Sequence, residues 1–379
     1  MTTPASRNTV LFVSALSTLG GAQVSLASVV SELAPNIRVV VAAPAAGPFV
    51  DRLRASGAVT EFVAIPSLER HHGIRARLEA ARVLGYWLWR NRRTLLAVHV
   101  NGDSELKLLL PVFLLVRRPV VVWHHRAELT STVTRLRPLW RLLRRTTIWA
   151  AVSEARRAEL EHHGIATQRN LLVVPNPIDP HEVVPDVRAP HDKFVVGYLG
   201  CEYESKGILL LPSIAAGVVD SEIELVVVTK GLPPELNSAE VNCALDRLRS
   251  IPSTVTFRRR DFDVRHIYTD LDAVVVPSQH ESFCRIAAEA MLNEQPVVAT
   301  DLPALRELVG DEAGVLFPPG DSVAAAEALR TLADDPALVA RLGQEGRRRA
   351  EQFAPARVAQ RLLALYRSPR PVDVRELDS

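Results

Sequence analysis

Apolar residues in this chain come as short β-branched runs, each followed by a longer amphipathic stretch. In the first half the runs are Val10 to Val13, Ile37 to Ala42, Ala97 to Val100, Val120 to Trp123, Trp149 to Val152 and Leu171 to Val174. Runs without polar alternation suit strands covered on both faces, and the helical stretches between them predict βα units and a parallel sheet. Between Pro175 and Pro190 five prolines and no long apolar run intervene, the composition of a linker. A second series follows at Phe194 to Leu199, Glu224 to Val228, Thr254 to Phe257, Ala273 to Val276, Pro296 to Ala299 and Val315 to Phe317, and it predicts a second doubly wound sheet. Residues 323–366 read as helical, with Pro336 and Pro355 as breaks. The expected layout is a first domain over 1–180, a linker over 181–193, a second domain over 194–354, and a terminal helix and tail over 355–379. A chain of 379 residues exceeds one average core and suits two domains of about 150 to 200 residues.

Residues 278–289, SQHESFCRIAAE, carry the clearest chemistry. The strand Ala273 to Val276 ends in a Pro-Ser turn at Ser278 and delivers two carboxylates, Glu281 on the loop and Glu289 inside the following helix. Ligands of open α/β sheets bind outside the carboxyl ends of the strands. A helix starting near Phe283 would point the free amides of Phe283, Cys284 and Arg285 into that crevice, where they and the helix dipole favour an anion. A diphosphate held there would have a carboxylate on either side, each accepting hydrogen bonds from sugar hydroxyls. That combination describes a nucleotide sugar. Surface glutamates on an Ala-rich helix are usually solvated, but a loop leaving a buried strand is not where a solvated face is expected. Gly20 and Gly21 follow the first strand and let backbone approach a ligand closely, although the G-x-G-x-x-G dinucleotide fingerprint is absent. The strings Asp261-Phe-Asp263 and Asp270-Leu-Asp272 are not taken as metal sites, because the second precedes its strand and so lies opposite the crevice.

The run from Pro277, PSQHESFCRIAAEAMLNEQPVVATDLPALRELVGDEAGVLFPPGD, resembles the E-x7-E signature region of retaining glycosyltransferases of family 4. Similarity extends to Leu19-Gly20-Gly21-Ala22-Gln23, Val152-Ser153-Glu154, Val174-Pro175-Asn176-Pro177-Ile178-Asp179 and Lys206-Gly207, in order along nearly the whole chain. The resemblance implies a GT-B fold, two doubly wound Rossmann-like domains facing across a cleft, with the last helix crossing back to the first. It implies that sugar passes from a nucleotide diphosphate donor to an acceptor hydroxyl on a glycan, a lipid or a small molecule, the domains closing to exclude water. Glu281 would hold donor-sugar hydroxyls, Glu289 the ribose and Lys206 the leaving phosphates. Ser278, Phe283, Cys284, Arg285, Gly20 and Gly21 would complete the donor side. His124 would face the transferred sugar, with His125, Arg126 and Asn101 on the acceptor side, strand alternation letting only one imidazole point into the cleft. In the front-face mechanism proposed for the family the departing phosphate oxygen takes the acceptor proton, so neither a cofactor nor a metal is expected. Two departures stand out: Cys201 where the family usually has arginine, and Cys284 where it commonly has glycine. They keep open a non-catalytic nucleotide-binding GT-B subunit, and the shared fold keeps open a nucleotide-sugar epimerase. The segment TKGLPPE after Val228 departs from the family's base-recognition pattern and leaves the nucleobase unread.

Net charge is +2, but residues 1–185 hold 23 Lys and Arg against 13 Asp and Glu, while the remainder holds 22 against 30. Two basic stretches, Arg75 to Arg93 and Arg135 to Arg145, mix Trp, Leu and Arg at helical spacing. One reading is an interfacial helix on anionic lipid; the other, slightly favoured by the excess of Arg over Lys throughout, is helices that bury Leu and Trp while solvating Arg. Nucleic acid is not expected, since no binding motif is present and the acidic second half would repel phosphate. No apolar run approaches the ~20 residues of a membrane span, and Thr9 to Ala15 reads as a first strand rather than a cleavable signal. The expected location is the cytoplasm, with peripheral attachment to the inner membrane face as an option. Three widely spaced cysteines, Cys201, Cys243 and Cys284, read as reduced thiols.

Overall fold

The uninterrupted apolar runs form strands covered on both faces. β1 (Thr9–Val13), β2 (Arg38–Ala43), β3 (Glu61–Ala64), β4 (Leu95–Val100), β5 (Val120–His125), β6 (Thr147–Ala151) and β7 (Leu171–Val173) form one sheet in the order β3-β2-β1-β4-β5-β6-β7. β8 (Phe194–Tyr198), β9 (Ile223–Thr229), β10 (Val255–Arg259), β11 (Ala273–Val276), β12 (Val297–Thr300) and β13 (Gly314–Phe317) form a second in the order β10-β9-β8-β11-β12-β13. Every recorded pairing is parallel. The computed structural model of the chain describes residues 8–68, 73–102, 120–127, 129, 133–134, 140, 147–183, 192–200, 202–229, 234–259 and 265–367.

The period-two alternation of β1 splits the first core into two layers. Leu11 and Val13 face a layer with Trp123, Trp140 and Trp149, and Val10 and Phe12 face one with Leu26, Val30 and Leu362. β3 lies outside the runs picked from sequence, because only Val63 of its four residues is buried and a half-exposed edge strand gives no continuous apolar signal.

Chain contacts divide the molecule into one unit of residues 1–177 with 355–379 and another of residues 178–354. The first contains the helices α1 (Gly21–Leu33), α2 (Pro48–Ser56) and α3 (Ile74–Asn91). Within the second, α4 (Arg285–Leu292) follows β11, and α5 (Pro355–Arg367) returns the chain to the first unit. Pro336 and Pro355 both stand at the start of helices, where a missing N–H costs nothing. α5 packs against α1 and β4 and buries Val358, Ala359, Leu362, Leu365 and Tyr366.

Candidate functional site

In each sheet the strand order reverses once, between β1 and β4 and between β8 and β11, which is where a doubly wound sheet opens a crevice at its carboxyl ends. Lys206 lies beyond β8 and Glu281 beyond β11, so adjacent strands bring together residues 75 positions apart. Lys206 Nζ donates to Glu281 Oε1 at 2.8 Å, and Ser278 Oγ donates to the same oxygen at 2.9 Å. The two loops are fastened to each other by Gln279 N, which donates to Ser205 O at 2.9 Å, and within the β8 loop Tyr198 Oη donates to Lys206 O at 3.3 Å. Gly207 permits this approach. Its φ is +79°, and a Cβ there would stand 1.8 Å from the Pro277 carbonyl oxygen. The Glu281 side chain is only 8% exposed against 35% for Lys206, so the carboxylate is built into the loop while the ammonium still reaches solvent.

Glu289 is held at both oxygens. Arg285, one turn earlier on α4, reaches Oε1 at 3.0 Å, and the Tyr268 hydroxyl donates to Oε2 at 2.9 Å. A carboxylate has roughly four lone-pair positions, so this arrangement orients Glu289 without exhausting its acceptor capacity.

Two local expectations are corrected here. α4 begins at Arg285, two residues later than Phe283, because Cys284 adopts φ +68°, ψ +79° and a left-handed residue cannot lie within a right-handed helix. The Phe283 amide therefore lies before the helix, while Cys284 takes the N-cap position. Phe283 is buried instead, with its ring edge-on to Phe353 at 5.1 Å. A negative φ at Cys284, the condition under which its side chain would be easily accommodated, is not met. Cys284 occupies a conformation that favours glycine, and burial, reinforced by the charge of Glu281 and opposed by that of Lys206, pushes its thiol well above the usual range.

In the first unit the two histidines of β5 point to opposite faces, but neither imidazole is exposed. His124 Nε2 bonds the Val174 carbonyl oxygen at 2.9 Å, and its Nδ1 accepts from Arg126 at 2.9 Å, which fixes a neutral ring with the proton on Nε2. Burial, with the neighbouring Arg126 charge, holds the His124 pKa well below its ordinary value. His125 lies 3.8 Å from Glu159, whose carboxylate is kept ionised, against the pull of its own burial, by His125, Arg156 and the Leu129 amide. Both rings are fully buried, and their partners are the Val174 carbonyl and Arg126 for His124 and Glu159 for His125. Arg126 also donates to Asn176. Asn101, only 2% exposed, donates from Nδ2 to the Ala22 carbonyl oxygen at 3.2 Å and ties the end of β4 to the first turn of α1. Gly21 is the first residue of α1, and Gly20 caps it in an extended conformation without a side-chain bond.

Sequence reasoning missed Tyr268, His99 and Tyr366. His99, a polar residue inside an apolar strand, bonds the Tyr366 hydroxyl through Nδ1 at 2.7 Å, and burial with the Arg126 charge lowers its pKa to about 3. That break in an apolar run was the available signal. Asp270 pairs with Arg258 at 2.7 Å and Asp272 accepts from the Val195 amide at 2.8 Å, so both carboxylates of the second D-x-D string have structural partners. Among the described residues no cluster has the makings of a metal site. Cys201, Asp261, Asp263 and residues 230–233 of the base-recognition segment lie outside the described residues.

Residues 182–349 match the family model of glycosyl transferases group 1. A D-inositol 3-phosphate glycosyltransferase of Catenulispora acidiphila is 31% identical over 192 residues, 47% of this chain and 45% of the relative. The 2-deoxystreptamine glucosyltransferase of Streptomyces kanamyceticus is 29% identical over 301 residues, covering 72% of this chain and 76% of the relative. For several curated relatives the matched stretch spans less than half of their length. Among solved structures, HepE of Anabaena, crystallised with UDP and glucose, superposes with a TM-score of 0.77 at 20% identity over 95% of this chain and all of that one. Sucrose-phosphate synthase of Thermosynechococcus elongatus gives 0.73 at 20% identity over 95% and 98%. The shared architecture of two parallel-sheet Rossmann-like domains is the GT-B fold.

Proposed function

We propose, for a chain whose residues 182–349 match the model of glycosyl transferases group 1, that it is a retaining glycosyltransferase of family 4 that needs no metal. It would act in the cytoplasm on a nucleotide diphosphate sugar and an acceptor hydroxyl. The observation that carries this reading is the pairing of Lys206 with Glu281 at the strand-order reversal, one element away from the Arg285–Glu289 pair. Glu281 accepts hydrogen bonds from donor-sugar hydroxyls, and Glu289, oriented by Tyr268 and Arg285, accepts them from the ribose. Lys206 offers its ammonium to the diphosphate as negative charge develops on it.

In the reaction, the bond from the anomeric carbon to the phosphate oxygen breaks and a bond to the acceptor oxygen forms on the same face. The acceptor proton passes to the departing phosphate oxygen. No separate general base is required, which accords with a first unit whose two β5 histidines are enclosed. A second reading, a nucleotide-binding subunit without turnover, draws support from the buried Cys284 at positive φ beside the diphosphate position and from the engagement of Arg285 with Glu289.

The test is a panel of UDP-, GDP- and dTDP-sugars scored by thermal shift and by acceptor-dependent nucleotide release. UDP-glucose with a cyclitol acceptor is the first pair to try, because HepE was crystallised with UDP-glucose and two relatives are named for inositol 3-phosphate and 2-deoxystreptamine. Release with retained anomeric configuration supports the transferase, and inverted product overturns the retaining mechanism. Binding without release across the panel favours the subunit, and an epimerised donor an epimerase. EDTA should leave the rate unchanged; a loss restored by manganese or magnesium would refute metal independence.

A further inference from the structure

Among the described residues eight large hydrophobic side chains are conspicuously exposed, and four of them, Ile74 (74%), Leu78 (64%), Tyr86 (61%) and Trp89 (61%), lie on α3. The opposite face is anchored. Ala80, Leu84, Trp87 and Leu88 enter the core, and Trp87 Nε1 donates to Glu61 Oε1 at 2.7 Å, so α3 cannot roll to hide the exposed residues. At 100° per residue Ile74, Leu78 and Trp89 fall within about 60° of one another, with Tyr86 about 60° further round. Arg75 and Arg82 share this arc, and Arg90, Arg92 and Arg93 crowd the carboxyl end, where the Arg92 guanidinium stacks over the Trp89 ring at 5.1 Å. Residues 74–93 contain six arginines and one acidic residue, Glu79.

We propose that this face of α3 docks the protein on an anionic lipid bilayer, the helix lying in the interfacial plane. Ile74, Leu78, Tyr86 and Trp89 enter the headgroup boundary, and the arginines, with long stems and charged heads, meet lipid phosphates. A second copy of this chain is the poorer occupant, since a two-fold contact would set the five arginines on and beside this face of one copy against those of the other. No helix among the described residues is long and apolar enough to cross a membrane, so attachment by α3 is a surface interaction. The inference is independent of the sugar chemistry proposed above. It replaces the simpler expectation that this stretch buries its Trp and Leu while solvating Arg, which holds for Trp87, Leu84 and Leu88 but not for Trp89 and Leu78.

The experiment is co-sedimentation of the full chain with vesicles of phosphatidylcholine alone or mixed with phosphatidylglycerol, beside fluorescence quenching by brominated lipid. Trp89 is the one exposed residue of the five tryptophans, so quenching reports on α3. Binding should require the anionic lipid, weaken with salt, and fall on the order of ten-fold or more in Leu78→Ser/Trp89→Ser and in Arg75→Ser/Arg82→Ser, both variants melting as the wild type. Equal binding to neutral vesicles, binding unaffected by these substitutions, or no binding to either vesicle would overturn the proposal. So would a dimer in solution that the Leu78→Ser/Trp89→Ser change dissolves, or retention of the arginine face by RNA but not by vesicles.

Discussion

At Glu281 one carboxylate oxygen receives both the Lys206 ammonium and the Ser278 hydroxyl, so charge and shape can be separated by substitution. Glu281→Gln keeps an oxygen for Ser278 and should cost about 1 kcal/mol of stability, whereas kcat/KM should fall on the order of a hundred-fold. Turnover at the wild-type rate, measured beside a melting curve, would remove Glu281 from the site. Cys284 poses the opposite question, since its strain lies in the backbone. Cys284→Gly relieves a left-handed conformation but gives up a buried thiol and loosens the unfolded chain, so it should lie within about 1 kcal/mol of wild type. Cys284→Val, with two branches on Cβ at φ +68°, should be at least about 2 kcal/mol less stable than the glycine variant. The reverse order of urea midpoints would show that packing, not backbone, governs this position.

Elements show where local signals reach and where they stop. The two prolines read as breaks mark helix starts, and the apolar runs name twelve of the thirteen strands among the described residues, the half-exposed β3 being the omission. The role of α5 is not local at all. Its sequence announces an amphipathic helix, but that it closes the first unit depends on where the chain returns. A chain ending at Ala354 loses the burial of Val358, Leu362, Leu365 and Tyr366, each contributing about 1.5–3 kcal/mol, a sum comparable with the whole stability of a typical domain. Such a chain should lose the cooperative melting of the first unit; a wild-type transition would contradict the packing. Tyr366→Phe is the milder version. It strips His99 of its hydroxyl partner and should cost about 1–3 kcal/mol.

Across the whole molecule, the buried imidazoles couple stability to acid. His99 titrates near 3 in the folded chain and near 6.5 when unfolded, so below about pH 6.5 the unfolded state binds the extra proton. Its stabilising contribution is complete above that value and is lost progressively as pH falls toward 3, by up to about 1.4 kcal/mol per pH unit. His124, shifted in the same direction, adds to the slope. Urea unfolding from pH 7 to pH 4 should show this loss, and His99→Gln should flatten it. An unchanged slope in the variant would mean that other groups govern the acid limb.

The sequence by itself determined the strand series and the loops that carry Lys206, Ser278, Glu281 and Glu289, because each is written in short-range pattern: apolar runs and residues just beyond a strand. Tertiary structure alone decided how those loops meet. Lys206 finds Glu281 only because β8 and β11 are neighbours, and His99 finds Tyr366 across 267 positions only because α5 returns to β4. The same holds for the histidines of β5 and for Cys284. Whether a ring at a strand end is open or enclosed depends on which elements cover it, and a left-handed φ is set by the packing of the loop, so neither is contained in the local pattern of residues.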